Sequence, residues 1–424
     1  MSCPVSGARI GSEFFDNTPQ YREECMVTTR RTLLKLAGSF ASVAAFRSAR
    51  AADSVKIGLI STLSGPNAVS GEMIRKAAEL YLAKKAASAG GATVELIIRD
   101  DGGPNPEVAK RLVQELVVGN KVQYLAGIVF TPNANAIAPL VTQAKLPCVL
   151  TNSGGAATTR LSPYFVRTSF TNWQTCYTLG QWAVRNGYKR VSTLVADFVA
   201  GIDMENAFVA GFKADGTQIV NSDHMPLINP NFVPFLERVK RDKPDALFAF
   251  NAGGTQMVPF LKAYNELGLK AAGIKLLGPG DITDDIELRN SGSLGEGVIT
   301  AHVYSPIADR PSNHEFIRLW HEAYGADAPP PNFIAAGTWD GMQAIFDAIK
   351  ATGGAPDPVK ALDALSHFRS DTSPKGVVSI DPETRDIVQD VHIREVRLIN
   401  GVPGNVEFDT IPAVKDPWKI LNPA

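Results

Sequence analysis

Three short polar stretches are candidates for holding a small anionic group: Ser64-Gly65-Pro66, Thr131-Pro132-Asn133 and Thr151-Asn152-Ser153-Gly154-Gly155. Each follows an apolar run of strand length and combines hydroxyl or amide side chains with backbone N–H groups. A loop leading from a strand into a helix aims free N–H groups and the positive end of the helix dipole at whatever occupies it. The same residue types serve as ordinary caps and turns, so any one loop alone reads as capping chemistry. Three together favour a binding site. No G-x-S-x-G elbow, H-E-x-x-H helix or G-x-x-x-x-G-K-[ST] loop is present to supply an enzymatic engine. Gly278-Pro279-Gly280 reads as a turn rather than a dinucleotide fingerprint, because Thr283 stands where a third glycine would be needed. His314 and His321 lie seven apart with no third ligand nearby, which reads as a solvated helix face. No metal and no cofactor are therefore expected. Phe316, Trp320 and Tyr324, at steps of four on the same segment, read as its core face.

The elements that must position these loops follow from periodicity. Strand-length apolar runs at Val55 to Ile60, Val94 to Ile98, Tyr124 to Phe130 and Cys148 to Thr151 alternate with helical patterns, the signature of βαβ units. Between them Val108, Leu112 and Leu116 form one helical stripe. A second series runs through Val191 to Val195, Ile219 to Asp223, Ala246 to Phe250 and Lys275 to Leu277. A further strand is expected near Glu296 to Val303, then helices over His314 to Tyr324 and Ala335 to Ala351, ended by Gly325 and Gly353-Gly354. The last fifty residues turn β-rich, with Val377 to Ile380, Val391 to Ile399 and a turn at Asn400-Gly401. The class is α/β with two doubly wound, Rossmann-like sheets.

At the N-terminus, T-R-R-T-L-L-K at Thr29 to Lys35 precedes an apolar stretch, Leu33 to Phe46, that is too short to span a bilayer. It reads as a cleaved twin-arginine export signal. Ala49 and Ala51 suit a signal peptidase, and Met26 is a candidate start behind an upstream extension. Cleavage of residues 1–51 leaves 373 residues with 35 basic against 39 acidic side chains, which offers no nucleic-acid footprint. That length exceeds what one core usually fills, so two lobes are expected. Cys148 and Cys176 remain as either one disulfide or two buried thiols, the second being favoured.

Several motifs recur in a familiar order: S-G-P with Gly71, D-D-G-G-P-N-P at Asp100 to Pro106, Gly127 to Pro132, and K-L-P at Lys145 to Pro147. D-F-V-A-G-I-D at Asp197 to Asp203, F-N-A-G-G at Phe250 to Gly254 and L-G-P-G-D at Leu277 to Asp281 continue it. In these the chain resembles the leucine/isoleucine/valine-binding family of periplasmic solute-binding proteins, the type I fold. The resemblance implies two lobes joined by a three-segment hinge crossing near Thr171, Val298 and Gly376. Residues 52–171 with 298–376 would form lobe 1, and residues 172–297 with 377–424 lobe 2. It also implies a monomeric periplasmic carrier that traps a small carboxylate-bearing solute, an amino acid or an aromatic or organic acid. The carrier would deliver it to an inner-membrane ABC permease and its ATPase subunits. The same fold also serves ligand-sensing receptors for amides or urea, the alternative reading.

Carried over by position, the family's carboxylate-gripping hydroxyl falls on Thr131. Further ligand contacts fall on Asn152, Ser153 and Gly154, with a capping position at Ser70. From the second lobe the resemblance implies Phe198, Asn251 and Gly253, and near the last loop Phe333 or Ala335. Amino-acid binders of this family place an acidic residue directly after G-P. Here Gly280 stands in that place with Asp281 one step on, either reaching the site or capping the short helix that follows.

Overall fold

The computed structural model describes residues 54–251 and 254–423, so the expected export signal and Gly253 lie outside the described residues. Five parallel strands form the first sheet: β1 (Val55–Ser61), β2 (Val94–Asp100), β3 (Tyr124–Gly127), β4 (Cys148–Leu150) and β5 (Phe165–Arg167), in spatial order β2-β1-β3-β4-β5. The second sheet starts with β6 (Arg190–Ala196), β7 (Gln218–Met225), β8 (Ala246–Phe250), β9 (Lys275–Pro279) and β10 (Ile299–His302). These five repeat the pattern of the first sheet, running β7-β6-β8-β9-β10 with every pair parallel. Antiparallel strands β11 (Arg369–Ser373), β12 (Gly376–Ile380), β13 (Ile387–Ile399) and β14 (Val402–Val414) extend it, with β13 hydrogen-bonded to β10, β12 and β14.

Both sheets are wound around the same device. In each, the chain leaves the first central strand and turns at once into a helix, Ala68–Lys85 after β1 and Val199–Phe212 after β6. Gly71 and Gly201 sit one turn into those helices. A Cβ there would come 1.7 Å from the Thr62 carbonyl oxygen and 1.9 Å from that of Ala196, so only glycine lets helix and strand end meet. In such sheets the crevice for a ligand opens beyond the carboxyl ends of the strands where the order reverses, here between β1 and β3 and between β6 and β8.

Two helices return to the first sheet from far along the chain. Pro311–Tyr324 and Phe333–Thr352 pack on Ala68–Lys85, where the Tyr81 ring meets Trp339 at 4.8 Å and Phe346 at 5.1 Å, and Tyr324 Oη donates to the Lys76 carbonyl at 2.6 Å. Phe316 and Trp320 are buried on the expected face. The expected boundary at 298 assigns Ile299–His302 to the first lobe, but β10 is bonded between β9 and β13 in the second sheet. The 376 boundary errs the same way for β11, which pairs with β12. Short polar strands such as Arg369–Ser373 and the three-residue β5 carry too little periodicity to be read from sequence. The strand expected to run to Phe130 ends at Gly127, where φ of 101° turns the chain out of the sheet.

Cys148 and Cys176 are free, buried thiols, one in β4 and one in the helix Asn172–Arg185. Among the described residues no helix is long and apolar enough to cross a membrane, and no group of three His, Cys, Asp or Glu could hold a metal ion.

Candidate functional site

A cavity of about 80 Å³ lies where the switch-point loops of both sheets converge. From the first sheet it is lined by Asn67, Val69, Ser70, Val129, Phe130, Thr131, Asn152 and Gly154, and from the second by Phe198, Ala200, Met204, Phe250, Gly254, Asp281, Asp284 and Glu287. Phe170, Asn172, Phe333 and Ile334 complete it. The two rims approach each other closely there: a Cβ on Gly254 would lie 3.3 Å from the Pro66 oxygen and from Asn67 Nδ2.

Three of the helices that begin at this cavity have no side-chain cap. Asn67, Phe130 and Phe198 are the N-cap residues of Ala68–Lys85, Thr131–Ala144 and Val199–Phe212, and none offers a side-chain cap. Thr171 and Asn332 cap two other helices that reach the cavity, and Asn105 and Asp357 cap helices away from it. Three uncapped N-termini around one cavity concentrate partial positive charge, which suits an anion.

Thr131 opens its helix, and its Oγ1 accepts from Gly155 N–H at 3.2 Å, joining two of the loops singled out from sequence. Asn152 Nδ2 donates to the Val129 carbonyl at 3.0 Å, while its buried Oδ1 has no partner. Ser153 Oγ is also buried without a partner, but the residue stands behind the lining. Asn251 is likewise buried behind it, with Nδ2 donating to the Gln256 carbonyl at 3.4 Å. Ala335 too is buried outside the lining. The Asp100-Asp101 pair braces the entrance: Asp101 accepts from Thr62 Oγ1 at 2.6 Å and from Asn133 Nδ2 at 2.9 Å, and Asp100 from Leu63 N–H at 2.8 Å.

The walls are aromatic. Phe198 and Phe250 stack at 6.0 Å and 24°, and Phe170 meets Phe333 edge-on at 5.7 Å. Phe130 adds a fifth ring. Phe130, Phe170 and Phe250 were not identified from sequence, because Phe130 and Phe250 read as strand residues and Phe170 sits in a crossing segment without periodicity. Asn172 and Asp203 were missed too. Asp203 accepts from Ala156 N–H, Asn172 Nδ2 and Trp173 Nε1, tying the Ser153–Ala156 loop to the second lobe's first helix.

At the second-lobe end, Asp281 reaches the cavity rather than capping the helix after it. The helix Asp285–Leu288 is capped by Asp284, whose Oδ1 accepts from Ile286 N–H and whose Oδ2 accepts from Asn332 Nδ2 at 2.6 Å. Asp281 Oδ2 is buried and unpartnered, 4.0 Å from the equally unpartnered His302 Nε2. Burial pushes the Asp281 carboxyl up to about 7, the Asp284 charge adds to this, and Arg394 opposes it. Burial holds His302 well below its ordinary value, helped by Arg394 and Lys375. Gly280 has no room for any side chain: a Cβ would stand 2.3 Å from both Arg394 Nη2 and His302 Cδ2. The position that carries an acid in amino-acid binders is therefore filled by a guanidinium and an imidazole.

Comparison with known proteins agrees with this geometry. Residues 54–401 match the family model described as periplasmic binding protein. The Leu/Ile/Val-binding protein homolog 6 of Brucella melitensis is 40% identical over 371 residues, 87% of this chain and 95% of that protein. A solute binding protein of an ABC transporter from Rhodopseudomonas palustris BisB5, solved with 3,4-dihydroxybenzoic acid, is 42% identical with a TM-score of 0.81, covering 87% of this chain and 99% of that one. A second from R. palustris, solved with 4-hydroxybenzoate, is 39% identical with a TM-score of 0.83, covering 87% and 100%. These relatives are solute-binding proteins, not enzymes. The chain belongs to the periplasmic binding protein family, as the solute-binding component of an ABC transporter.

Proposed function

We propose that the cleft captures a monocyclic aromatic acid of the hydroxybenzoate kind and hands it to an ABC permease. The observation that carries this reading is the replacement of the ammonium-binding acid by Gly280 in a cavity walled by five phenyl rings. A zwitterionic amino acid would bring its ammonium group toward Arg394, with only Asp281, whose carboxyl burial pushes up to about 7, to receive it. Leaving such a charge buried and unpaired costs several kcal/mol. A benzoate ring gains area and ring–ring geometry from Phe170, Phe198, Phe250 and Phe333. Its carboxylate finds the open helix N-terminus at Thr131. The ligands of the two Rhodopseudomonas relatives support the same class.

Calorimetry with 4-hydroxybenzoate, benzoate and leucine tests the proposal. Aromatic acids are expected to bind, and at a hundred times Kd to stabilise the fold by about 2.7 kcal/mol. Asp281→Asn should keep that binding, since an amide mimics a protonated carboxyl. Tighter binding of leucine than of any aromatic acid, lost in Asp281→Asn, would reverse the assignment.

A further inference from the structure

The second-lobe end of the cavity holds a polar pair that a bare benzoate does not use. Three acids line the cavity, but Asp284 has both oxygens engaged, by Ile286 N–H and by Asn332. Glu287 Oε2 lies within 3.5 Å of Asn290 Nδ2. Asp281 alone among them combines a buried oxygen lacking any partner with a side chain still 20% exposed to the cavity.

His302 stands directly behind it and is wholly buried. Its Nδ1 accepts from Val303 N–H at 2.9 Å, so in the neutral ring the proton sits on Nε2, the atom facing Asp281. The ring is clamped between Phe333, with centroids 4.0 Å apart, and Phe170 at 4.8 Å. Its Nε2 N–H stands 4.0 Å behind Asp281 Oδ2, beyond hydrogen-bond reach, and gives the carboxyl a polar backing while its cavity side is left for the ligand.

We propose that Asp281, set from behind by His302, reads a phenolic hydroxyl, so that the site selects para-hydroxylated aromatic acids over unsubstituted ones. The inference rests on the aromatic-acid reading above. A ring acid whose carboxylate occupies the first-lobe loops at Thr131 presents its para edge to the second lobe, where Asp281 waits. A hydroxyl both donates and accepts, so it satisfies the carboxyl in either protonation state. A ring lacking it leaves Asp281 buried and dry, and sites built to hydrogen-bond a substrate hydroxyl reject the analogue without one. A methoxy group, which only accepts and is bulkier, falls between the two.

The test is calorimetric titration of 4-hydroxybenzoate, 4-methoxybenzoate and benzoate into the parent, Asp281→Ala, Asp281→Asn, His302→Gln and His302→Phe. The parent should prefer 4-hydroxybenzoate over benzoate by about tenfold or more. Asp281→Ala should compress that ratio to within about threefold, and Asp281→Asn should retain most of it. His302→Gln, which keeps a donor toward Asp281, should hold the ratio where His302→Phe lowers it. Equal affinity of the parent for benzoate and 4-hydroxybenzoate, or an undiminished preference in Asp281→Ala, overturns this inference and leaves the aromatic-acid reading standing. Failure of every aromatic acid to bind the parent overturns both.

Discussion

Thr131 joins two tasks that sequence alone separates. Its position at the first turn of an uncapped helix suits the carboxylate-binding role proposed for it, and its acceptance of Gly155 N–H holds the neighbouring loop. Thr131→Ala should therefore weaken aromatic-acid binding by about 1–3 kcal/mol and also cost about 1 kcal/mol of stability, read by calorimetry and denaturant unfolding. Unchanged affinity would remove it from the site. A pH effect belongs to Asp285, which is buried beside Asn405 and accepts from its Nδ2 at 2.7 Å. Burial pushes this carboxyl up to about 7, opposed chiefly by Arg394. Between about pH 4 and 7 the folded chain keeps a proton that the unfolded chain has lost, so this group's contribution to stability falls as pH rises through that window and levels off above it. His302 and His392, both held low by burial, tilt the profile the other way at the acid end. Asp285→Asn should flatten the fall relative to the parent in melts across pH 4 to 7. A parallel profile would show that Asp285 ionises normally.

The elements that cross between the sheets are pinned by polar groups as well as by apolar packing. Lys375, fully buried just before β12, pairs with buried Asp340 at 3.1 Å and donates to the Thr168 carbonyl at 2.8 Å and to Gln389 Oε1 at 2.7 Å. One ammonium group thus gathers the crossing segment after β5, the helix Phe333–Thr352 and β13. Lys375→Ala strands the Asp340 charge and should destabilise the fold by about 3–5 kcal/mol in denaturant titrations. Lys375→Ala together with Asp340→Ala should recover part of that loss, and a double variant worse than the single would refute the pairing. These are also the segments sequence reading placed least well. The strand-to-helix loops were legible because apolar runs of period two give way abruptly to polar residues and then to period 3.6, which located Thr131 and Asn152, whereas Asp281 came only from the resemblance. Phe170 and Asn172 were missed because crossing segments follow no period, while β10 was expected where it lies but assigned to the wrong lobe. Their partners, such as Asp203 for Asn172 at 2.9 Å, are distant in sequence.

Across the whole molecule, the same strand order occurs twice, and the two switch points face one another across a single cavity. Two halves of one pattern let a ligand be gripped from both sides with contacts that exist only when the halves meet, the condition for binding to favour the shut form. The resemblance located this architecture because the motifs kept their order along the chain. It placed the lobe boundaries less exactly, since β10 and β11 return to the second sheet. The meeting of the rims at Pro66, Asn67 and Gly254 has a kinetic corollary. Those residues roof part of the cavity, so escape is expected to depend on how often the roof lifts as well as on how many contacts the cargo makes. A membrane partner that pries at the roof would empty the carrier without having to outbid it for its load.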